Sequence, residues 1–555
     1  MNRKKWCFLP IEGWIKIFII LLGILVASPN TDSLLAMTDS DRQLLKQFQD
    51  EEPEIFSRSK LVSERGRQLL EISLGDILTL VRSRSISLKA SAMAEKASQA
   101  QLILAELPNR SQLTTKIQQL KSAALSGTNF QQTANTFNIV SPYLTTTSTD
   151  QTLISATWNK KNNLGMLFST SLQKYTQQTT VFTKATKDDP TSGGTPSDDP
   201  LEGATLSLGV TVPIFQDWGE VNEILERRAE VAVEQSQYTT QGVEIGLLES
   251  VAKTYWVLVG IRENIRTLEE AEKLSALLVT ETAARVDVGI LNYTDLKEAE
   301  TTLASNQQNL LSAKISEQEI EDQIRAALSL ENVSFGFKPA DTPSIHKEPL
   351  DAKALLKKSF DSSLEIKQIQ ARIKLNDADL TEAENLDRMN LDLSLQYSFS
   401  GYGASSAESL QVFDKSELQG YVVGMTWTMP LFDKITPEKI SQVRIKRSEL
   451  ELQLQNTKSQ LTISLQTILR NLHFGLEEEK NAILSKELAK DLMEKEIEKL
   501  KIGKSTGYNV SLAQQKYTSA SYGEVLVRVK YEQNFIALLA LTGDLYTRFN
   551  LPRRE

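Results

Sequence analysis

Three stretches of the 555-residue chain alternate apolar and polar side chains with the period of a strand. In Ala204–Val212, Leu206, Leu208, Val210 and Val212 fall on one face, and Thr205, Ser207, Gly209 and Thr211 on the other. Leu391, Leu393, Leu395, Tyr397 and Phe399 alternate with Asp392, Ser394, Gln396 and Ser398. Tyr421, Val423, Met425, Trp427 and Met429 alternate with Val422, Gly424, Thr426 and Thr428. Each strand thus has one greasy side and one largely polar side, with aromatic residues near the ends. That is the pattern of a membrane barrel with a wet lumen, although an ordinary half-buried antiparallel sheet reads the same way segment by segment. A first up-going strand is placed at Met166–Val181, and residues 130–182 hold further strand-like material.

Elsewhere the period is helical. Helical pattern begins near Leu74 and continues to about Leu107, where Pro108 interrupts it. A shorter helix is predicted over Ser111–Ala124. Two very long runs, Trp218–Arg285 and Pro437–Lys501, contain almost no Pro or Gly. At 1.5 Å per residue each makes a rod of about 100 Å. Each ends at a glycine, Gly289 or Gly503, where the chain reverses, because glycine accepts backbone angles that other residues resist. Return helices follow over Thr294–Leu330 and Asn509–Thr542. Asn292 or Thr294 is a candidate cap for the first, and Ser505, Thr506 or Asn509 for the second.

The chain therefore states one unit twice. Val288-Gly289-Ile290-Leu291-Asn292-Tyr293-Thr294-Asp295-Leu296 is matched by Ile502-Gly503-Lys504-Ser505-Thr506-Gly507-Tyr508-Asn509-Val510. Upstream, Thr211-Val212-Pro213-Ile214-Phe215 is matched by Thr428-Met429-Pro430-Leu431-Phe432. The organisation expected is a leader over 1–36, a polar and weakly structured segment over 37–73, and a first repeat over 74–335. A linker over 336–350, a second repeat over 351–545 and a short tail over 546–555 complete it. Thr186–Gly203, rich in Gly, Pro, Ser and Asp, reads as a mobile loop.

Composition narrows the class. Arg3, Lys4 and Lys5 precede the apolar stretch Ile17–Ala27, which is too short to span a bilayer comfortably. It reads as a secretory leader, cleaved after Ala27 or Ala36, that would carry away Cys7, the chain's one cysteine. A large exported protein without disulfides fits a bacterial envelope. A net charge of −9 argues against nucleic acid as a partner. No phosphate loop, dinucleotide fingerprint or metal-ligand spacing occurs. His346 and His473, the only histidines, read as surface or packing residues. Nothing argues for an enzyme, a cofactor or a catalytic residue.

The duplicated Val/Ile-Gly turn, the Pro-x-Phe that closes a strand before a long helix, and the terminal Ala-Leu-x-Gly resemble the TolC-type outer-membrane efflux proteins over about residues 74–545. The resemblance implies a mixed α+β membrane protein. Its homotrimer would share a twelve-stranded β-barrel, four strands per subunit, continuous with a long periplasmic α-helical barrel. It would sit in outer-membrane lipid and extend into the periplasm. It would serve as the exit duct of tripartite efflux or type I secretion, with a periplasmic membrane-fusion adaptor and an inner-membrane pump of ABC, RND or MFS type. Val288, Gly289, Ile290, Ile502, Gly503 and Lys504 match the tips where the adaptor docks. Pro213, Phe215, Pro430 and Phe432 mark the barrel-to-helix junctions. The gate departs from the family, which expects second-repeat aspartates where Asn509 and Leu512 stand. Thr294, Asp295 and Glu298 of the first repeat, with Asn509, are the candidate gate. A ring of three Asp295, with three Glu298 one turn away, would attract and hold cations; equally, Asp295 is the acid that a helix N-terminus favours. A structural or adhesive coiled-coil envelope protein would explain the helices but not the alternating aromatic strands.

Overall fold

A computed structural model describes residues 60–64, 67–126, 145–183, 195–196, 201–330, 335–345, 351–403, 405, 409 and 418–552. The expected leader and its cleavage sites, His346 and most of the Thr186–Gly203 loop lie outside these residues. The elements run β1 (Lys60–Glu64), β2 (Arg67–Ile72), α1 (Leu74–Arg84), α2 (Ile86–Ala105), β3 (Gln112–Ser126), β4 (Thr145–Lys161), β5 (Leu167–Thr183), β6 (Thr195–Pro196) and β7 (Leu201–Pro213). There follow α3 (Ile224–Asp287), α4 (Tyr293–Ala327), β8 (Gly336–Pro339), α5 (Ala352–Ser362), α6 (Leu364–Leu386), β9 (Asn390–Gly403), β10 (Gln419–Thr428), α7 (Ile435–Lys501), α8 (Gly507–Thr542) and α9 (Leu545–Arg548). No helix among the described residues is long and apolar enough to cross a membrane. The chain divides into two units. One comprises residues up to 92, 239–366 and 457 onward; the other comprises 93–238 and 367–456.

The first, helical unit is built around a core in which Ile77, Leu78, Val81, Leu258, Ile324 and Phe335 are almost fully buried. Ser73 caps α1, its side chain accepting from the Asp76 N–H. Two parts of the sequence read as irregular are ordered here. Lys60–Glu64 and Arg67–Ile72 pair as an antiparallel hairpin, and Gly336–Pro339 joins β2 in parallel. The segment read as weakly structured and the start of the linker thus make one three-stranded sheet. Ion pairs tie it to the helices. Glu321, fully buried, accepts from Arg67 (2.8 Å), Arg325 (3.1 Å) and the Phe337 N–H (3.3 Å). Arg262 bridges Glu317 (2.7 Å) and Glu64 (2.9 Å). A side chain on Gly336 would collide with Glu321 at 2.5 Å, so the acid's seat requires glycine there. Leu545 and Leu551 belong to the same core, which anchors the end of the chain.

The second unit is dominated by one antiparallel sheet in the order β10-β9-β7-β5-β4-β3, with β6 beside β5. The register aligns the faces across all six long strands. Leu113, Trp158, Thr170, Leu208, Tyr397 and Tyr421 form one row. Thr115, Ala156, Leu172, Leu206 and Phe399 form the next. The opposite face carries Thr114, Thr157, Ser171, Ser207 and Ser398. The strands read at Ala204–Val212, Leu391–Phe399 and Tyr421–Met429 are therefore present, and the strand placed at Met166–Val181 is β5. The helix expected over Ser111–Ala124 is not: those residues form β3. Leu113, Ile117 and Leu120 recur at spacings of four and three, which imitates a helix. Fifteen residues of β3 instead pair with β4, a partner that no local pattern reveals. Where four strands were expected, six lie side by side.

Candidate functional site: the helical tips and the groove behind them

Helices α3 and α7 end in the same way. Gly289 (φ +78°) and Gly503 (φ +70°) are left-handed. The Gly289 N–H donates to the Val286 carbonyl and the Ile290 N–H to that of Arg285, both at 2.9 Å. The Gly503 N–H donates to Leu500 (3.0 Å) and the Lys504 N–H to Lys499 (2.8 Å). These paired bonds are Schellman caps, which satisfy the last carbonyls while the chain turns. Arg285, Lys499 and Lys501 place positive charge at the negative ends of the helix dipoles. The tips present apolar side chains to solvent: Val288 is 69% exposed, Ile290 71% and Ile502 67%. Isolated exposed apolar residues are ordinary, but three at two adjoining tips form a patch.

The two tips adjoin. Arg285 donates to the Leu500 carbonyl (3.4 Å), and Leu278, Leu500 and Val510 form a buried cluster behind them. Glu496 accepts from Lys499 (2.7 Å) and from the Ser505 hydroxyl (2.6 Å), which together hold its carboxyl below the usual range.

Of the cap candidates, Asn292 and Thr506 occupy the N-cap positions. Thr506 accepts from the Asn509 N–H, and the Asn292 N–H donates to the Asp295 carboxylate at 3.0 Å. Asp295 thus has a capping partner of its own. Glu298, one turn on, faces a groove of about 620 Å³ between α4 and α8. Thr294, Asp295 and Asn509 do not line it. Glu298, Thr301, Ser305, Asn309, Ser312 and Ser316 line one wall, and Tyr508, Ser511, Gln515, Thr518, Ser519 and Tyr522 much of the other. Both sets recur at helical spacings of three and four, a signal present in the sequence and not used. Apart from Glu298 the stripe is uncharged, which differs from the charged face that a solvated helix usually shows.

The junctions are also alike. β7 ends at Pro213, and pairing continues as the Ile214 N–H donates to the Leu391 carbonyl (2.8 Å). Between strand and helix each repeat holds one non-glycine residue with positive φ, Asp217 (+62°) and Phe432 (+58°). Asp217 is fixed by reciprocal bonds with Asn385, both 3.0 Å. Asp433 accepts from the Thr436 hydroxyl and from the Ile435 N–H (2.7 Å), which lower its carboxyl pKa. Phe215 is half exposed, and Phe432 is 97% exposed.

Among the described residues no group of three or more His, Cys, Asp or Glu side chains is placed to hold a metal ion. The family model described as outer membrane efflux protein matches residues 168–329. No curated protein matches the chain in sequence. Solved structures share the fold at low identity. The outer membrane protein VceC from Vibrio cholerae is 14% identical, with 85% of this chain and 96% of that chain covered and a TM-score of 0.57. The Campylobacter jejuni CmeC outer membrane channel is 13% identical over 85% of each chain, with a TM-score of 0.58. The Neisseria gonorrhoeae MtrE outer membrane channel, solved in an open state, is 12% identical over 85% of this chain and 88% of that chain, with a TM-score of 0.56.

Proposed function

We propose, on the premise that residues 168–329 mark this chain as an outer membrane efflux protein, that it is the outer-membrane exit duct of a tripartite efflux or type I secretion system. One observation carries the reading. A single antiparallel sheet, drawn from both halves of the chain, carries one largely apolar face and one face rich in Ser, Thr, Gln and Gly, most strictly along β7 and β9. Such a sheet suits a wall with lipid on one side and water on the other. A structural or adhesive coiled-coil protein would have no use for it.

The chain works as a homotrimer. Each copy brings β5, β7, β9 and β10, the strands of the repeated units, to a shared barrel of at least twelve strands. The helical hairpins of α3–α4 and α7–α8 make the periplasmic duct, and the stripes along α4 and α8 give it a polar, uncharged lining. Val288, Gly289, Ile290, Ile502, Gly503 and Lys504 receive the periplasmic adaptor, whose pump in the inner membrane drives export. The entrance is gated by residues of the first turns, Thr294 and Asn509 among them. Glu298 supplies the acid that faces the passage, while Asp295 holds the cap of α4. Pro213, Phe215, Pro430 and Phe432 set the turn from barrel to helix.

The test is direct. The purified protein should run as a detergent-resistant trimer, fractionate with outer membrane and conduct ions in a planar bilayer. A monomer without conductance, recovered in another fraction, would overturn the reading. Asp295→Ala should leave cation selectivity nearly intact, whereas Glu298→Ala should reduce it; the reverse order would restore the Asp295 ring.

A further inference from the structure

We infer that each copy contributes six strands, not four, so that the trimer closes an eighteen-stranded barrel in which β3 of one copy pairs with β10 of the next. The inference rests on the trimeric reading above and concerns what the first half of the chain adds to it.

The hairpin β3–β4 is built as membrane wall. It pairs with β5 over seventeen residues of β4, longer than any pairing among the other strands of the sheet. Its apolar face is continuous with theirs. Leu113, Ile117, Trp158 and Ile154 lie on the side occupied by Leu172, Leu206 and Phe399. Charge on that side is carried by Lys160 near one end of β4, by Lys174, which shares a row with Ile117 and Ile154 and meets Glu202 (3.5 Å), and farther along by Lys121, which meets Asp150 (3.4 Å). The row of Leu113, Trp158, Leu208, Tyr397 and Tyr421, apolar on inserted and repeated strands but for Thr170, is what one bilayer would impose on all of them.

The hairpin is also fixed at its base. The β4–β5 turn closes with the Asn162 N–H donating to the Met166 carbonyl and the Gly165 N–H to that of Asn162, both 3.0 Å. The Gly219 N–H, at the start of the β7–α3 junction, donates to the Leu164 carbonyl (3.2 Å). Gly165 is left-handed (φ +93°), and a Cβ there would lie 2.2 Å from the Asp217 carbonyl. The turn is thus seated against the junction of the first repeat, and β4 holds the edge of β5 that a four-strand copy would offer to its neighbour.

Two edges remain. Among the described residues β3 has no strand on its outer side and β10 none on its own. In lipid an open edge is untenable, because no water is present to satisfy its amides and carbonyls. Six is an even number, so β3 and β10 run in opposite directions, and head-to-tail closure gives antiparallel pairing at each seam. The side chains at these edges are bare in the single copy. Ile117 is 76% exposed, Tyr421 78% and Met425 72%. A second copy of this chain is the partner that fits. Barrel diameter grows nearly linearly with strand number, so the bore would be about 1.5 times that of a twelve-stranded barrel.

Cysteine cross-linking tests this in the full chain, whose only native cysteine is Cys7. Thr115→Cys on β3 is combined in turn with Tyr421→Cys, Val423→Cys, Met425→Cys and Trp427→Cys on β10. At least one combination should give dimers and trimers on a non-reducing gel after mild oxidation of outer membranes. Leu172→Cys on β5 with the same β10 set should give none. Links from β5 to β10 instead, or no link from β3 in a protein that is still trimeric, would overturn the inference. A protein that is monomeric by light scattering would overturn the trimeric reading itself. Imaging the unmodified trimer in lipid nanodiscs provides a count that does not depend on the variants: eighteen strands support the inference, and twelve refute it.

Discussion

Replacing Gly289 by alanine isolates the backbone requirement of the tip. No atom lies within 4 Å of where the new methyl would sit, so Gly289→Ala brings no clash. Its cost is that of holding an L-residue at φ +78°, about 1–2 kcal/mol. That penalty falls on the cap. The Ile290 and Leu291 amides, both bonded to the Arg285 carbonyl at 2.9 and 3.3 Å, should open roughly 5- to 30-fold more often. Hydrogen exchange of the tip peptide, read by mass spectrometry on the intact protein, measures this directly. Gly289→Asn should fall between wild type and alanine, because asparagine tolerates the left-handed region better. Gly543→Ala should cost more, since φ is +73° and the methyl would also press on Ser362 at 3.1 Å. Wild-type exchange in Gly289→Ala, or equal effects of alanine and asparagine, would show that left-handed geometry is not what the tip glycine supplies.

Glu321→Ala leaves Arg67, Arg325 and the Phe337 N–H without their shared acceptor, and should lower the stability of the helical unit by about 3 kcal/mol in thermal unfolding; a loss under 1 kcal/mol would refute the account. Glu532 is buried, which raises its carboxyl pKa from 4.5 to about 7. Its contribution is therefore full below about pH 4.5 and is lost as pH rises through 7. Glu532→Gln should flatten the stability profile between pH 5 and 8 and gain up to about 3 kcal/mol at pH 8; a profile parallel to wild type would contradict this. Ile290→Asp and Ile502→Asp should each weaken binding of the cognate adaptor at least tenfold without disturbing the trimer, as read by surface plasmon resonance. Ser329, at φ +56°, caps α4 where Gly543 caps α8, so Ser329→Gly should raise the melting temperature, offset in part by the loss of its bond from Ile86; a fall would argue against the cap.

What the sequence disclosed follows from what local pattern can encode. Gly289 and Gly503 were legible because left-handed backbone favours glycine, and the chain states the preference twice. Strands β7, β9 and β10 were legible because their side chains alternate strictly between one apolar and one largely polar face. Strand β3 was not. Its Thr, Gln and Lys residues on both faces blur the alternation, and Leu113, Ile117 and Leu120 fall at helical spacing. Only the long register with β4 decides the matter. The sheet of β1, β2 and β8 was hidden for a related reason, since Leu69 and Gly336 are neighbours only in the fold. The groove stripes of α4 and α8 were legible in principle, as hydroxyl and amide side chains at spacings of three and four. Hydroxyl and amide side chains at those spacings are also what any solvated helix face can carry, so the pattern alone does not single out a groove.

The two copies of the unit show which constraints are geometric and which are chemical. All four helix ends that turn the chain, at Gly289, Ser329, Gly503 and Gly543, use the same pair of amide-to-carbonyl bonds. Any side chain that tolerates positive φ meets that demand, and one of the four is a serine. The caps that follow the tips are met by different chemistry. Asp295 takes the Asn292 amide in the first copy, and Thr506 takes the Asn509 amide in the second. An acid near the first tip is therefore explained by helix capping before any gate is invoked. Glu298, exposed and turned toward a groove lined by uncharged side chains, has no such local reason to be there. On the proposed reading, a charge in that groove with no side-chain partner among the described residues is the better candidate for acting on what passes, which is why selectivity should follow Glu298 and not Asp295.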